Sequence, residues 1–379
     1  MKIAVPAEVE SGEPRVAATP ETVKKLSALG ASVTVERGAG AHSGIRDADY
    51  EAAGASLAAG TEAVAGADVI LKVRRPNAAE IATYPRGALV IAIMDPFGHE
   101  DALRAMADAG LAGFAMELMP RITRAQVMDI LSSQANLAGY RAVVDAAAEY
   151  GRALPMMMTA AGTVPAARIF IMGAGVAGLQ AIATARRLGG VVTATDVRPA
   201  AKEQVESLGA KFIAVEDEEF KQAETAGGYA KEMSREYQAK QAALVADHIR
   251  KQDIVITTAL IPGRPAPRLI SAEMVASMRP GSVVVDLAAE RGGNVEGMQP
   301  DTVADVNGVK IMGYRNVPGR LAATASSLYA RNLYAFVETL VDKSTKALAV
   351  NWDDELVKAT ALTRDGAIVH PSFQPRPAA

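Results

Sequence analysis

Gly173, Gly175 and Gly178, in the run Gly-Ala-Gly-Val-Ala-Gly, follow the apolar stretch Ile169 to Met172 and precede a helical pattern that ends near Gly189. Glycines at the first and third positions allow a tight turn and bring backbone N–H groups close to a pyrophosphate, while the last lets helix and strand pack closely. The helix start at Val176 favours anionic phosphate. The spacing alone is a weak signal, because small residues also serve ordinary turns. Its context strengthens it. A second apolar strand, Val191 to Thr195, runs into Asp196-Val197-Arg198, about 20 residues past the glycines, where a carboxylate accepts ribose hydroxyls and repels a 2′-phosphate. Arg198 pulls the other way, since a nearby arginine neutralises such a phosphate; it also reads as a surface or pyrophosphate-side cation. Asp196 holds the strand-end position, so the expectation is NAD(H).

Further polar groups follow later strands: Thr257-Thr258-Ala259-Leu260-Ile261-Pro262-Gly263 after Ile254, and Asp286-Leu287-Ala288 after Val283. Both fall at the carboxyl edge, where an open sheet binds its ligand, although Asp286 equally suits loop amides. Earlier in the chain, Gln126, Asp129 and Ser132 are spaced to share one side of a helical turn, and Arg121 can fold back towards Asp129. That cluster reads either as ligand contacts or as a capped helix start. The histidines are His42, His99, His248 and His370, and none follows a second-domain strand in a place suited to deprotonating an alcohol or amine. A substrate dehydrogenase needs a general acid or base because a proton leaves with the hydride. Exchange of hydride between two nicotinamides needs none, and a lysine or tyrosine base stays open.

These groups need sheets to carry them. The 379 residues (39.5 kDa) are 50% hydrophobic and 22% charged, a globular composition large enough for two domains. A net charge of -3, with no basic domain and 4% aromatic residues, lacks the footprint for nucleic acid. The absence of cysteine excludes disulfides and thiolate chemistry and fits a reducing cytosol. No targeting signal is apparent: the opening MKIAVPAEVE turns acidic before an apolar core forms. Ile169 to Ala185 is uncharged, but its glycines and change of period predict a buried strand followed by a buried helix, not a membrane span.

Lys2 to Val5 reads as an edge strand, Thr19-Pro20-Glu21 as a capped helix start ended by Gly30, and Ser32–Glu36, Asp68–Val73, Leu89–Ile93 and Gly113–Ala115 as strands. A long helical pattern spans Met128 to Tyr150. Met156 to Pro165 is irregular and predicts core or interface packing, with a projecting hairpin as one form. Strands then recur at Ile169–Met172, Val191–Thr195, Phe212–Val215, Ile254–Thr258 and Val283–Asp286, and Lys310–Met312 closes the sheet. The expected fold is α/β, with two Rossmann-like domains of open, mostly parallel sheets and a nucleotide cleft between them. The first covers 1–135 and is completed by 321–379 through a helix from Thr324 to Leu340; the second covers 140–320; residues 373–379 form a flexible tail. Glu216 to Gln238 is polar and longer than a strand-to-helix link requires, suggesting a lid or a plain surface insertion.

With these residues placed, the chain resembles the soluble NAD(H)-binding component (domain I) of proton-translocating NAD(P) transhydrogenases and, more distantly, the alanine dehydrogenases. The likeness runs nearly the full length, through PAEVESGEPRVAATPETVKKL, MELMPRITRAQVMDILSSQANLAGYRAV, MMMTAAGTVPAARIFIMGAGVAGLQAIATARRLGG, TDVRPAAKEQVESLGAKF, AETAGGYAKEM and TTALIPGRPAPRLI. It implies that Asp196 is the adenosine-ribose carboxylate and Tyr229 the tyrosine of a mobile loop closing over NAD(H). Arg121, Gln126, Asp129 and Ser132 would form a polar loop at the nicotinamide end, with Gln126 on the nicotinamide ribose and Arg121 and Asp129 organising the carboxamide side. Arg15 and Lys72 match the pyruvate-binding arginine and lysine of alanine dehydrogenase. Its catalytic histidine would fall near Met94-Asp95, where neither residue is histidine and His99 comes too late. The resemblance implies direct, reversible hydride transfer from NADH to NADP+ on a partner domain that binds NADP(H), membrane-spanning partners that move protons, and a homodimer built partly through Met156–Pro165. It places the chain at the cytoplasmic face of a bacterial inner membrane, attached through those partners. The alternatives are alanine oxidation and a non-catalytic NAD-sensing module.

Overall fold

The computed structural model describes residues 1–222, 233–261 and 263–374. The chain divides into two compact units, 1–134 with 319–379 and 135–318, and the boundary falls inside the helix Ile130–Glu149. The first unit holds a six-stranded sheet built from β1 (Lys2–Val5), β2 (Ser32–Glu36), β3 (Ser56–Ala58), β4 (Val69–Arg74), β5 (Leu89–Ile93) and β6 (Ala112–Ala115). All its pairings are parallel and the order is β3-β2-β1-β4-β5-β6. Thus β1 is not the edge strand expected from its position at the start of the chain but lies in the middle, where the order reverses.

Alternation along each strand sends side chains to two cores. Ile3, Val5, Val69, Leu71 and Phe114 face one layer, while Ala4, Ile70 and Val90 face the other with Leu103 and Met106. The helix Ala322–Thr339 returns to this unit and fills the first layer with Tyr329, Leu333 and Phe336. The Tyr329 hydroxyl donates to the Lys72 carbonyl at 2.8 Å, so its ring is buried without an orphaned polar atom. The tail expected from residue 373 is anchored at its first residue: Phe373 is buried, edge-on to Phe97. Residues 375–379 lie outside the described residues.

In the second unit the methionine-rich segment forms a hairpin of β7 (Met157–Thr159) and β8 (Gly162–Val164) with its methionines exposed, not core packing. A seven-stranded sheet follows: β9 (Arg168–Met172), β10 (Val191–Thr195), β11 (Lys211–Phe212), β12 (Ile254–Thr257), β13 (Val283–Asp286), β14 (Val303–Val306) and β15 (Val309–Met312). Its order is β11-β10-β9-β12-β13-β15-β14. The expectation that residues 310–312 close the sheet is corrected by β14, which pairs antiparallel outside β15 and is the edge. Its half-exposed, mixed sequence gives no continuous apolar run. Central β12 and β13 are buried on both faces, hence their unbroken Ile-Val-Ile-Thr and Val-Val-Val-Asp sequences. The uncharged stretch 169–185 is β9 and most of the helix Val176–Arg187. No helix among the described residues is long and apolar enough to cross a membrane.

Within this unit Gly139, on the helix Ile130–Glu149, meets the first turn of Val176–Arg187 so closely that a Cβ would overlap the Ala177 carbonyl. Gly139→Ala sets a helix-propensity gain of about 1 kcal/mol against overpacking of backbone worth about 1–3 kcal/mol. The expected result is a thermal midpoint lowered by several degrees; a raised midpoint would show that the two helices separate at no cost.

Candidate dinucleotide site

The glycine turn joins β9 to the helix Val176–Arg187 at the point where the strand order reverses, the position at which open α/β sheets bind ligands. The three glycines do different work. Gly173 has φ +105°, and a Cβ there would strike the Thr258 hydroxyl. At Gly178 a Cβ would overlap the Gly173 carbonyl. Folding therefore demands both. Gly175 has nothing within 4 Å of the place its Cβ would occupy and an ordinary φ of -76°. It is the helix N-cap and has no side chain with which to satisfy the first-turn N–H groups. The arrangement leaves open space before a row of donors at the positive end of a helix.

Asp196 follows β10 directly and ties the turn to the second strand. Its carboxylate accepts the Ala174 N–H at 2.8 Å and the Arg198 N–H at 2.8 Å. The Arg198 guanidinium adds Nε and Nη2 bonds, each 2.9 Å. The two residues that pull in opposite directions on 2′-phosphate thus pair with each other, with side chains 8% and 25% exposed respectively. Val197 continues this turn.

On the other side of the reversal, Thr258 donates its N–H to Met172 O at 2.9 Å and its hydroxyl to Gly173 O at 3.1 Å. Ala259 and Leu260 extend from it, Leu260 with 52% exposure. Asp286 is fully buried and accepts the N–H groups of Ala288 and Val295 at 2.9 Å each, so it serves loop amides. Burial raises its pKa despite those bonds. Sequence reasoning passed over Asn294, which is wholly buried beside this loop. Its only signal is an asparagine after two glycines. Tyr229 and Pro262 lie outside the described residues.

The polar segment belongs to the first unit. It is not one continuous helix: a 3₁₀ turn, Thr123–Met128, stops at Asp129, whose ψ of 93° breaks the chain before Ile130–Glu149. Asp129 and Ser132 come together, with the Ser132 N–H and hydroxyl donating to the carboxylate at 2.9 and 2.5 Å. This is the capped helix start. Arg121 and Gln126 are exposed, as is Val127, whose carbonyl is held by Asn332 at 2.7 Å.

Residues 4–138 match the family "Alanine dehydrogenase/PNT, N-terminal domain" and residues 142–371 its C-terminal counterpart. The chain belongs to the alanine dehydrogenase/PNT family. It is 56% identical to the first part of the NAD(P) transhydrogenase subunit alpha of Rhodospirillum rubrum, covering 98% of this chain and 99% of that one. A solved transhydrogenase structure from Sinorhizobium meliloti superposes with a TM-score of 0.90 at 66% identity, over 97% of this chain and all of that chain. The alanine dehydrogenase of Halomonas elongata is 31% identical over 98% of this chain and 95% of its own length. Within the family the chain therefore stands with the transhydrogenase subunits.

The alanine-dehydrogenase side of the family meets a filled region here. Arg15 is buried and bound by Glu13 through Nε at 2.7 Å and Nη2 at 2.6 Å, and by Gln134 at 2.8 Å. Lys72 is 1% exposed and held by Glu80 at 2.6 Å and Glu8 at 3.3 Å. The cation that shares Glu13 with Arg15 is Arg74, at 2.7 Å, not Lys72. A substrate carboxylate would have to displace these buried ion pairs. At Met94-Asp95, Glu117 accepts both backbone N–H groups, and burial pushes its carboxyl up to about 7. His99 turns its Nδ1 back to the Asp95 carbonyl at 2.8 Å.

Two substitutions separate binding from folding. Gly175→Ala costs about 1 kcal/mol of stability or less, yet it is expected to weaken NADH binding about tenfold or more by placing a methyl where pyrophosphate approaches. An intact fold with unaltered affinity in fluorescence titration would reject the site. Asp196→Ala removes charged hydrogen bonds worth about 1.5–3 kcal/mol each and releases Arg198. NADH affinity falls and discrimination against NADPH narrows; parallel titrations with an unchanged NADH/NADPH ratio would contradict this.

Proposed function

We propose that this chain is the NAD(H)-binding component of a proton-translocating NAD(P) transhydrogenase, holding NADH for reversible direct hydride transfer to NADP+ on a partner domain. The observation that carries this reading is the 56% identity with the Rhodospirillum rubrum subunit across nearly the whole of both chains. The turn's middle glycine supports it, because the fold itself does not require that residue to be glycine.

Nicotinamide supplies the hydride, with its two electrons, and no proton need move in the same step. That fits a chain whose His99 is tethered to its own loop. The protein's work is to hold and exclude. Gly173, Gly175, Val176 and Gly178 form the pyrophosphate turn, and Asp196, Val197 and Arg198 receive the adenosine ribose. Thr258, Ala259 and Leu260 line the route of the nicotinamide half. Arg121, Gln126, Asp129 and Ser132 serve the transfer step, in which the reacting carbons must approach to about 3–3.5 Å with water kept out.

The remaining assembly belongs to the same proposal. The exposed hairpin, with Met157 at 42% and Met158 at 80% exposure, contributes to a homodimer. NADP(H)-binding and membrane-spanning partners complete the enzyme, and the chain sits peripherally on the cytoplasmic face of a bacterial inner membrane through them.

The decisive experiment mixes this chain with an NADP-binding partner domain and follows NADH-dependent reduction of NADP+, beside an alanine-plus-NAD+ control. Rapid transfer only with the partner is expected. Alanine-dependent NAD+ reduction by the chain alone, or occupancy by both nucleotides without transfer, would overturn the reading. In the same assay Gln126→Asn is expected to slow transfer at saturation about tenfold while leaving NADH affinity nearly unchanged.

A further inference from the structure

Asn294 has no exposed surface, so it cannot touch a bound nucleotide, yet it pins both ends of a loop at the carboxyl edge of the second sheet. Its Oδ1 accepts the Ala259 N–H at 3.1 Å and its Nδ2 donates to the Ala259 carbonyl at 2.9 Å. The side-chain amide thereby gives Ala259 the pair of bonds that a neighbouring strand would supply, just past the end of β12. The second Nδ2 hydrogen bonds the Pro267 carbonyl at 2.8 Å, closing the loop at its far end. Asn294 is itself held: its carbonyl accepts the N–H groups of Leu269 and Ile270 at 2.8 and 3.0 Å, and the next residue's N–H is fixed by buried Asp286. Between the pinned ends, Leu260 and Ile261 stand 52% and 45% exposed. At the loop's start the Thr258 hydroxyl reaches Gly173 in the glycine turn.

A dinucleotide across this sheet places adenosine on the β10 side of the order reversal and its other half towards β12. We infer that Asn294 is a positioning residue for the nicotinamide half of NAD(H), setting the rim formed by Thr258 to Ile261 relative to the glycine turn. The inference rests on the NAD(H)-binding reading. It makes a directional demand: the side chain should matter for the nicotinamide end and be indifferent to the adenosine end.

Asn294→Asp keeps the shape and the acceptor for Ala259 but removes both Nδ2 donors, leaving two carbonyls facing a carboxylate; Asn294→Ala removes all three bonds. Each full-length variant is titrated with NADH and, separately, with ADP. The expected result is an NADH dissociation constant raised about tenfold with that for ADP unchanged. Equal weakening of both ligands would assign Asn294 a general structural role and overturn the inference, as would unchanged NADH binding. Wild-type protein that binds ADP but not NADH would reject the underlying reading instead. If circular dichroism shows neither variant folded, hydrogen exchange on the wild type decides. Protection of residues 258–270 by NADH and not by ADP supports the inference, and equal protection by both overturns it.

Discussion

At Gly173, Gly178 and Gly139 neighbouring atoms approach the backbone so closely that only hydrogen fits. Gly178 lies over the Gly173 carbonyl, Gly173 lies against Thr258, and Gly139 lies against the Ala177 carbonyl. Through these contacts β9, the helix after it, the β12 loop and the second-unit portion of the helix Ile130–Glu149 are fixed around one turn. The row of first-turn N–H groups is a by-product of that packing and is already oriented before any ligand arrives. Such preorganised donors need no rearrangement to meet an anion.

The first unit depends on a different constraint. Glu8, Glu13, Arg15 and Lys72 are all buried, and charges in that setting persist only when paired. Glu8 accepts the N–H groups of Val73 and Arg74 as well as pairing with Lys72, so the segment after β1 is bound to β4 by ions where a sheet would use backbone. Burial raises the Glu8 pKa while Lys72 and those two N–H groups oppose the rise. Arg15 and Lys72 are the two of these that the resemblance to alanine dehydrogenases singles out. In this chain they serve as internal struts.

Much of this was legible in sequence because local patterns and the fold agree. The apolar runs at 169–172, 254–257 and 283–286, the cap at Thr19 and the glycine turn all state their structure locally. What escaped depends on distant partners. The central place of β1 is set by pairing with β2 and β4, which a strand of four residues does not announce. Strand β14 is an edge with no apolar alternation, and the role of Asn294 arises from a loop that begins 35 residues earlier in the chain. Asp196 was readable as a strand-end acid, but its engagement by Arg198 was not, since two residues in sequence do not reveal which way a guanidinium turns.

That pairing alters what occupancy of the adenosine end means. On the proposed reading, a ribose reaching Asp196 would not meet a vacant acceptor, because the Arg198 guanidinium already donates two bonds to it. Binding would then be an exchange between two sets of donors, with a net strength equal to the difference between them. An enzyme that must shed its spent cofactor in every cycle gains from such a device. On that reading, the guanidinium would recover its carboxylate as the spent nucleotide left, favouring the clearance on which turnover depends.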